Sequence, residues 1–280
     1  MKLAFTKMHG CGNDYIYINC FEQPVSNPEK LALKLSRRRF SVGSDGIILI
    51  SPSDKADCRM RIFNADGSEA QMCGNGIRCV AKYLFDNYIA RSREISIDTN
   101  CGVKNISITA VENDVTFVKV NMGRFETEPS KIPALFDGDS VIDRPIDACG
   151  HTWRVTCVSV GNPHAVIFCD DVDSLDLPAI GPAFENHPLF PERINTEFVQ
   201  MIDKTHVKMR VWERGSAETF ACGTGASASV AACVLNGKCD FDTDVKISLI
   251  GGDLTIKCDK DRTVWMTGPA EKSYDGFVEI

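Results

Sequence analysis

No two of the thirteen cysteines stand in a Cys-x-x-Cys pair, which removes a zinc ribbon and a thioredoxin-type redox site from consideration. Histidine is scarce, and His9, His151, His164, His187 and His206 are scattered without ligand spacing, so no metal site is indicated. Positive charge is not in excess: 31 Lys and Arg against 38 Asp and Glu leave a net charge of −7. That balance argues against nucleic acid or an anionic membrane as partner. No Gly-x-x-x-x-Gly-Lys-[Ser/Thr] loop occurs. The loose Gly-x-Gly-x-x-Ala match at Gly223–Ala228 is set off from the preceding strand by Glu213-Arg214-Gly215-Ser216 and a further turn, so a dinucleotide site is not supported either. The longest uncharged stretch, Thr219 to Gly237, is interrupted throughout by Ser, Thr and Gly. It reads as a helix buried in a globular fold rather than a membrane span. The segment Met1-Lys2-Leu3-Ala4-Phe5-Thr6-Lys7 reaches a second lysine before any apolar signal-peptide core develops. An odd number of cysteines cannot all be paired within the chain, and a reducing, cytoplasmic compartment follows as the expectation.

What is present is enough apolar material for a substantial core: 44% of the 280 residues are hydrophobic and 25% are charged. The length suits one large domain or two moderate ones. An internal repeat decides between them. Cys73-Gly74-Asn75-Gly76 and Cys222-Gly223-Thr224-Gly225 share the pattern Cys-Gly-x-Gly at a spacing of 149, the difference between 222 and 73. Gly12-Asn13 and Gly161-Asn162 keep that spacing, as do Met60–Phe63 and Met209–Trp212, and Glu69 and Glu218; Gly102 falls opposite Gly251. The chain therefore reads as two related halves.

Each half runs through the same elements. A β-rich start (Tyr15–Ile18; Ala165–Phe168) is followed by an apolar run (Ile47–Ile50; Phe198–Met201) and an alternating strand (Arg59–Phe63; Lys208–Trp212). A helix then begins at each Cys-Gly-x-Gly. In the first, Ile77, Val80, Ala81, Leu84, Phe85 and Tyr88 fall at helical spacing; the second is almost wholly Ala, Ser, Val and Leu and ends at Asn236-Gly237. A helix apolar on most faces must be surrounded. The expected fold is α+β, with two pseudo-twofold-related domains, each a β-barrel-like sheet wrapped around a central helix. Their expected extents are 1–122, with a C-terminal strand at 269–280 packed back on it, and 123–268. Residues 126–150 read as a linker, and the proline-rich stretch 170–195 as a long surface loop.

Each half thus places a cysteine at the start of a buried helix. Unpaired N–H groups and partial positive charge there lower a thiol pKa and also make a carboxylate site. With a pseudo-twofold axis between the halves, both cysteines can face one cleft. Two such acid–base groups suit a reaction that removes a proton from one face of a carbon and returns one to the other, a racemisation or epimerisation. Cys79, Cys233, Cys239 and Cys258 read instead as small core residues. A cysteine-rich redox sensor is the alternative from another class.

The motifs His9-Gly-Cys-Gly-Asn-Asp-Tyr15, Phe63-Asn-Ala-Asp-Gly-Ser-Glu69, Cys73-Gly-Asn-Gly76, Gly161-Asn-Pro-His164, Arg193-Ile-Asn-Thr196, Glu213-Arg-Gly215 and Glu218-Thr-Phe-Ala-Cys-Gly-Thr-Gly225 span nearly the whole chain. In this order they closely resemble the diaminopimelate epimerase family, pyridoxal-independent enzymes that interconvert LL- and meso-diaminopimelate. The resemblance implies Cys73 and Cys222 as the acid–base pair, no cofactor and no metal. It implies that Gly74, Asn75, Gly223 and Thr224 hold the reacting α-carboxylate. Asn64, Asn162, Asn195 and Arg214 would bind the distal amino-acid end, with Asn13 nearby, while His164 and Glu213 tune the cysteines and Glu213 also contacts substrate. It also implies a role in lysine and cell-wall precursor synthesis and a homodimer that uses Tyr274. Read without the resemblance, Arg214 suits an ion pair with Glu213 or Glu218 equally well, His164 a structural hydrogen bond, and the four asparagines plain turns. A related racemase for proline or histidine is the nearest enzyme alternative. Some family members carry Gln where this chain has Gly46, so position 46 is left out of the expected site.

Overall fold

The computed structural model describes residues 2–111 and 114–280; Met1 of the N-terminal segment, and residues 112 and 113 of the expected first repeat, lie outside the described residues. The chain divides into two compact units, Met1–Val120 with Thr267–Ile280, and Asn121–Met266.

In the first unit, β1 (Lys2–Gly10) and β2 (Asn13–Asn19) form an antiparallel hairpin. Its two-residue loop, Cys11-Gly12, has φ of 53° and 79°, the left-handed pair that matches the twist of a tight hairpin. Strand β2 runs parallel to β3 (Gly46–Ser51), which pairs antiparallel with β4 (Cys58–Asn64). Strand β4 takes the short β5 (Glu69–Ala70) antiparallel and runs parallel to β6 (Glu94–Thr99). The antiparallel partners β7 (Gly102–Val111) and β8 (Asp114–Arg124) follow. The second unit repeats the order. Strand β9 (Arg144–Ala148) pairs with β10 (His151–Ser159) and β10 with β11 (Pro163–Phe168), both antiparallel. Strand β11 is parallel to β12 (Asn195–Asp203), which is antiparallel to β13 (His206–Glu213). Strand β13 takes β14 (Ala217–Glu218) antiparallel and runs parallel to β15 (Asp244–Leu249), which pairs antiparallel with β16 (Gly252–Cys258). After β17 (Thr263–Gly268), β18 (Glu271–Glu279) returns to pair antiparallel with β1.

From β2 and β11 onward the registers repeat as well as the order. Tyr15 opposes Gly46 as His164 opposes Asn195, and Phe63 opposes Glu69 as Trp212 opposes Glu218, each residue 149 beyond its counterpart (15 to 164, 63 to 212). Beyond the central helix the offset grows by one. Thr99 opposes Gly102, whereas Leu249 opposes Gly252, so the counterpart of Gly102 is Gly252 and not Gly251. Both glycines have positive φ, 89° and 136°, where their strands turn back.

Four helices complete the units: α1 (Pro28–Leu35), α2 (Gly74–Asp86), α3 (Leu177–Glu185) and α4 (Gly223–Leu235). Strands β1, β2, β6 and β7 pack on α2, and β10, β11, β12, β13 and β16 on α4. Helix α4 is buried although it carries serines, because Ser227 and Ser229 turn their hydroxyls back onto the carbonyls of Gly223 and Gly225 at 2.9 and 2.8 Å. Asn87 and Asn236 close the two central helices, each side-chain amide donating to a last-turn carbonyl at 2.8 Å. Tyr88 falls beyond the end of α2 and is exposed, so it takes no part in the helical face expected of it. Among the described residues, no helix is long and apolar enough to cross a membrane.

Two sequence readings are corrected. Residues 126–150 are not a free linker: Ile132, Ala134, Val141, Ile146 and Ala148 belong to the core of the second unit, and β9 lies among them. The stretch 170–195 is not a surface loop. Asp176 accepts a hydrogen bond from the Ala179 N–H and Pro178 occupies the first turn of α3, which buries Leu177 and Phe184; Phe190 and Ile194 join the same core. Proline in a first helical turn has no N–H to lose, so it starts a helix rather than forbidding one. The same signal, Asn27 before Pro28, opens α1, whose Leu31, Ala32 and Leu35 are buried.

Helix α3 lies so close to Trp212 that a Cβ on Gly181 would come within 2.3 Å of the indole ring. Gly181→Ala should therefore lower stability by about 1–3 kcal/mol through overpacking, although alanine is the better helix former by about 1 kcal/mol. A melting temperature at or above that of the wild type would contradict this packing.

Candidate active site

In both units the cysteine of Cys-Gly-x-Gly is the N-cap of the central helix. Cys73 and Cys222 have extended backbone, with φ of −138° and −117°, and each Sγ accepts the N–H of the third residue on, Gly76 or Gly225, at 3.3 Å. The glycines are required by packing: a Cβ on Gly76 would lie 2.7 Å from Ile48 Cδ1, and one on Gly225 2.6 Å from Glu197 Oε1.

Around Cys73 the first unit assembles amides. The Cys73 thiol donates to Asn13 Oδ1 at 3.3 Å, and Asn75 Nδ2 donates to the same oxygen at 3.4 Å. Asn13 Nδ2 donates to Asp45 Oδ2 at 2.7 Å, which settles which end of the amide faces the sulfur. Asp45 also accepts from the Asp14 N–H and pairs with Arg38. Tyr15 is buried beside this cluster. Its phenol is held in the protonated form, its pKa raised well above the ordinary value by burial first and then by Cys73 and Asp45. Gly74 and Asn75 lie buried in the first helical turn. Asn64 stands apart at the end of β4, donating to Ser68 Oγ at 3.0 Å while its carbonyl accepts from Gly67 N–H, so it does close a turn. Opposite it in register is Gly46, where a Cβ would lie 2.1 Å from the Phe63 carbonyl oxygen. This backbone leaves no room for a side chain at position 46.

The second unit is built differently at the same places. Asn195, the repeat counterpart of Gly46, is buried; it donates to the Pro163 carbonyl at 2.7 Å and accepts the Arg214 N–H at 3.0 Å. His164, the counterpart of Tyr15, is fully buried, with Nδ1 2.7 Å from Glu197 Oε1 and Nε2 2.9 Å from Asn162 Oδ1. Which ring nitrogen donates in these contacts follows the tautomer and the orientation of the Asn162 amide. Glu213 accepts from the Thr219 hydroxyl. Its carboxyl pKa is raised, by burial first and then by Glu197, against the opposing effects of Thr219, His164 and Cys222. The Arg214 guanidinium donates to the Glu192 carbonyl at 3.0 Å, and Glu218 is taken by Arg210 at 2.7 Å. Gly223 is buried, and Thr224 presents its hydroxyl 3.4 Å from the Cys222 sulfur.

The helix N-terminus predicts a lowered thiol pKa, and at Cys222 that expectation fails. Burial, then the charges of Glu213 and Glu197, push this thiol well above its ordinary value, outweighing the hydrogen bonds from Thr224 and Gly225. The remaining expectations divide plainly. Cys79, Cys233, Cys239 and Cys258 are buried among core residues. Tyr274 stands on β18, partly exposed, its ring edge-on to Phe5 with centroids 6.1 Å apart. Three residues at the two helix starts escaped the sequence reading. Asp45 lies in the quoted segment Val42-Gly-Ser-Asp-Gly46 and Tyr15 in the motif beginning at His9, while Glu197 gives only a weak signal, a charge two residues after Asn195 in a strand buried on both faces.

The family model described as diaminopimelate epimerase matches residues 5–128 and 156–273. The chain is 52% identical over 286 residues to the diaminopimelate epimerase of Agathobacter rectalis, covering 99% of this chain and 100% of the other. It is 51% identical over 279 residues to that of Acetivibrio thermocellus, covering 99% of each. Among solved structures, a hydroxyproline epimerase from Agrobacterium vitis superposes with a TM-score of 0.72 at 15% identity, over 99% of this chain and 92% of that one. A phenazine biosynthesis protein of the PhzF family from Bacillus anthracis superposes with 0.71 at 18% identity over the whole of both chains. At those identities the likeness is one of fold. The matches at about half identity over full length carry more, and by them the chain belongs to the diaminopimelate epimerase family.

Proposed function

We propose that this chain interconverts LL- and meso-diaminopimelate by two-base proton transfer at the α-carbon, with Cys73 and Cys222 as the pair and no cofactor, in lysine and cell-wall precursor synthesis. The observation that carries the reading is the repeated sulfur cap, a thiol held by a backbone N–H at the start of each central helix. One sulfur, as thiolate, takes the α-proton; the other delivers its proton to the opposite face, and the roles exchange with the direction of reaction. The carbanion spreads its charge onto the α-carboxylate. First-turn N–H groups at Gly74, Asn75, Gly223 and Thr224 are the donors suited to it, as the N-terminal end of a helix favours negative charge. The raised pKa of Cys222 keeps it a thiol, the form needed to give a proton.

The substrate has an amino acid at each end, and Arg214 is the group suited to its distal carboxylate. Asn195 supports that role by holding the Arg214 backbone, and Asn162 by its tie to His164. Asn13 and Asn64 supply further amides in the first unit. The reading includes a cytoplasmic location, in keeping with the core thiols of Cys79, Cys233, Cys239 and Cys258. It also includes a homodimer formed through β18, where Tyr274 and Phe277 are exposed.

In deuterium oxide, purified protein should exchange the α-proton of LL-diaminopimelate while forming the meso isomer. Cys73→Ala and Cys222→Ala should each reduce turnover by about 10²-fold or more; near-wild-type turnover in either variant would refute the pair. Arg214→Ala should raise KM about 10- to 100-fold, the value of a charged hydrogen bond, with a smaller change in kcat. An unchanged KM would favour a substrate with one carboxylate, as for a proline-type racemase. Sedimentation velocity should find a dimer that Tyr274→Ala weakens, and a wild-type monomer at micromolar concentration would rule out the dimer.

A further inference from the structure

Glu197 is fully buried, yet nothing in the proposed reaction uses it. It lies on β12 under the first turn of α4, with Oε1 2.7 Å from His164 Nδ1 and against the Gly225 backbone, where a Cβ would meet it at 2.6 Å. Among the described residues, no protein donor lies within hydrogen-bond distance of Oε2. A buried acid with one oxygen unsatisfied is costly, because the group has lost its water without gaining a partner. The fold itself does not ask for it. The repeat counterpart is Ile48: Tyr17 opposes Ile48 as Val166 opposes Glu197, and Ile62 opposes Ile48 as Val211 opposes Glu197. Ile48 fills the same place under α2, next to Gly76. An apolar side chain thus serves the packing in one half, and an acid has replaced it in the half that holds His164 and Cys222.

We propose that Glu197 is a positioning residue of the epimerase. It fixes His164 through Nδ1, and it sets a negative charge beneath Cys222 that keeps this cysteine protonated as the acid of the pair. The titratable groups facing it are His164 from β11, Glu213 from β13, Cys222 from the start of α4 and Cys157 from β10. Glu197 and Glu213 both raise Cys222, but they act differently: Glu213 is tied to Thr219 near the helix start, whereas Glu197 holds the histidine. Removing the negative charge favours the thiolate, so the thiol is lost at a lower pH.

This inference rests on Cys222 as a proton-transfer group, and the experiment separates the two. The pH dependence of kcat and kcat/KM is measured for wild type, Glu197→Gln, Glu197→Asp and Glu197→Ile, in the direction that draws on Cys222 as acid. Alkylation of Cys222 by iodoacetamide, followed by mass spectrometry across the same pH range, is measured in parallel. Glu197→Ile, which copies the other half, should fold and lose about tenfold or more in kcat. Glu197→Gln should keep an acceptor for His164 and so retain more of kcat. Both should move the alkaline limb, and the onset of Cys222 alkylation, to lower pH by about one unit or more. Glu197→Asp should leave both near their wild-type position, because it keeps the charge, while kcat falls through loss of the His164 contact. A purely structural acid would change melting temperature and leave these limbs in place, and limbs unmoved in the Gln variant would overturn the proposal. Should the Ile variant not fold, the Gln and Asp pair decides the matter alone. Full activity in Cys222→Ala would instead sink the role of Cys222, with the alkylation profile still reporting whether Glu197 acts on that thiol.

Discussion

A sulfur atom accepting a backbone N–H at the start of a buried helix is the contact on which each half of this molecule depends. Serine, threonine, asparagine and aspartate cap helices better, because their oxygens are strong acceptors and thiol sulfur is a weak one. A cysteine cap therefore sacrifices helix stability for a group that can exchange a proton. The cost is met by surroundings that hold the cap in place. Gly76 and Gly225 let the first turn press onto the strands beneath, and Asn87 and Asn236 secure the far ends of the same helices. Because the helices are sheathed in strands, the backbone of neither cap can shift without disturbing a core.

On that common frame the two halves carry unlike chemistry. Cys73 sits among amides, with Asn13 oriented by Asp45 and supported by Asn75. Cys222 sits above carboxyl groups and an imidazole, and burial in that company makes it reluctant to ionise. Tyr15 against His164, Gly46 against Asn195 and Ile48 against Glu197 are substitutions at equivalent points of equivalent strands. They alter polarity while the backbone pattern stays. Two coupled thiols can share one proton in either arrangement, and unlike surroundings favour one arrangement at rest.

Much of this is legible in the amino-acid sequence. The offset of 149 residues, the helix starts and the strand order all follow from local signals, Cys-Gly-x-Gly, Gly-Asn and alternating apolar residues. What failed had physical reasons. Four prolines at 170–195 suggested a loop, but Pro178 stands where a helix has no N–H to bond, and Phe184, Phe190 and Ile194 drive that stretch inward. Residues 126–150 looked like a linker because the apolar residues among Pro, Asp and Gly have no helical or strand period to announce them. The raised thiol pKa at Cys222 is not visible in the sequence, because a helix end acts through local geometry, whereas burial and the charges of Glu213 and Glu197 are assembled from strands far apart in sequence. Glu197 was overlooked for the same reason, and Gly46 is explained only by the Phe63 carbonyl that faces it.

One residue by which the repeats differ in length enters after Asn87 and Asn236, beyond the helix caps and before β6 and β15, and another in the hairpin that precedes Asn13 and Asn162. Between the hairpin asparagine and the cap asparagine, 13–87 and 162–236, the two copies have kept equal length. Divergence since the duplication has thus been free in side chains and barred in residue count throughout that interval, because an inserted residue would turn every following strand side chain to its other face. The interval behaves as a cassette of fixed length, in which every strand keeps its buried face only while the residue count holds.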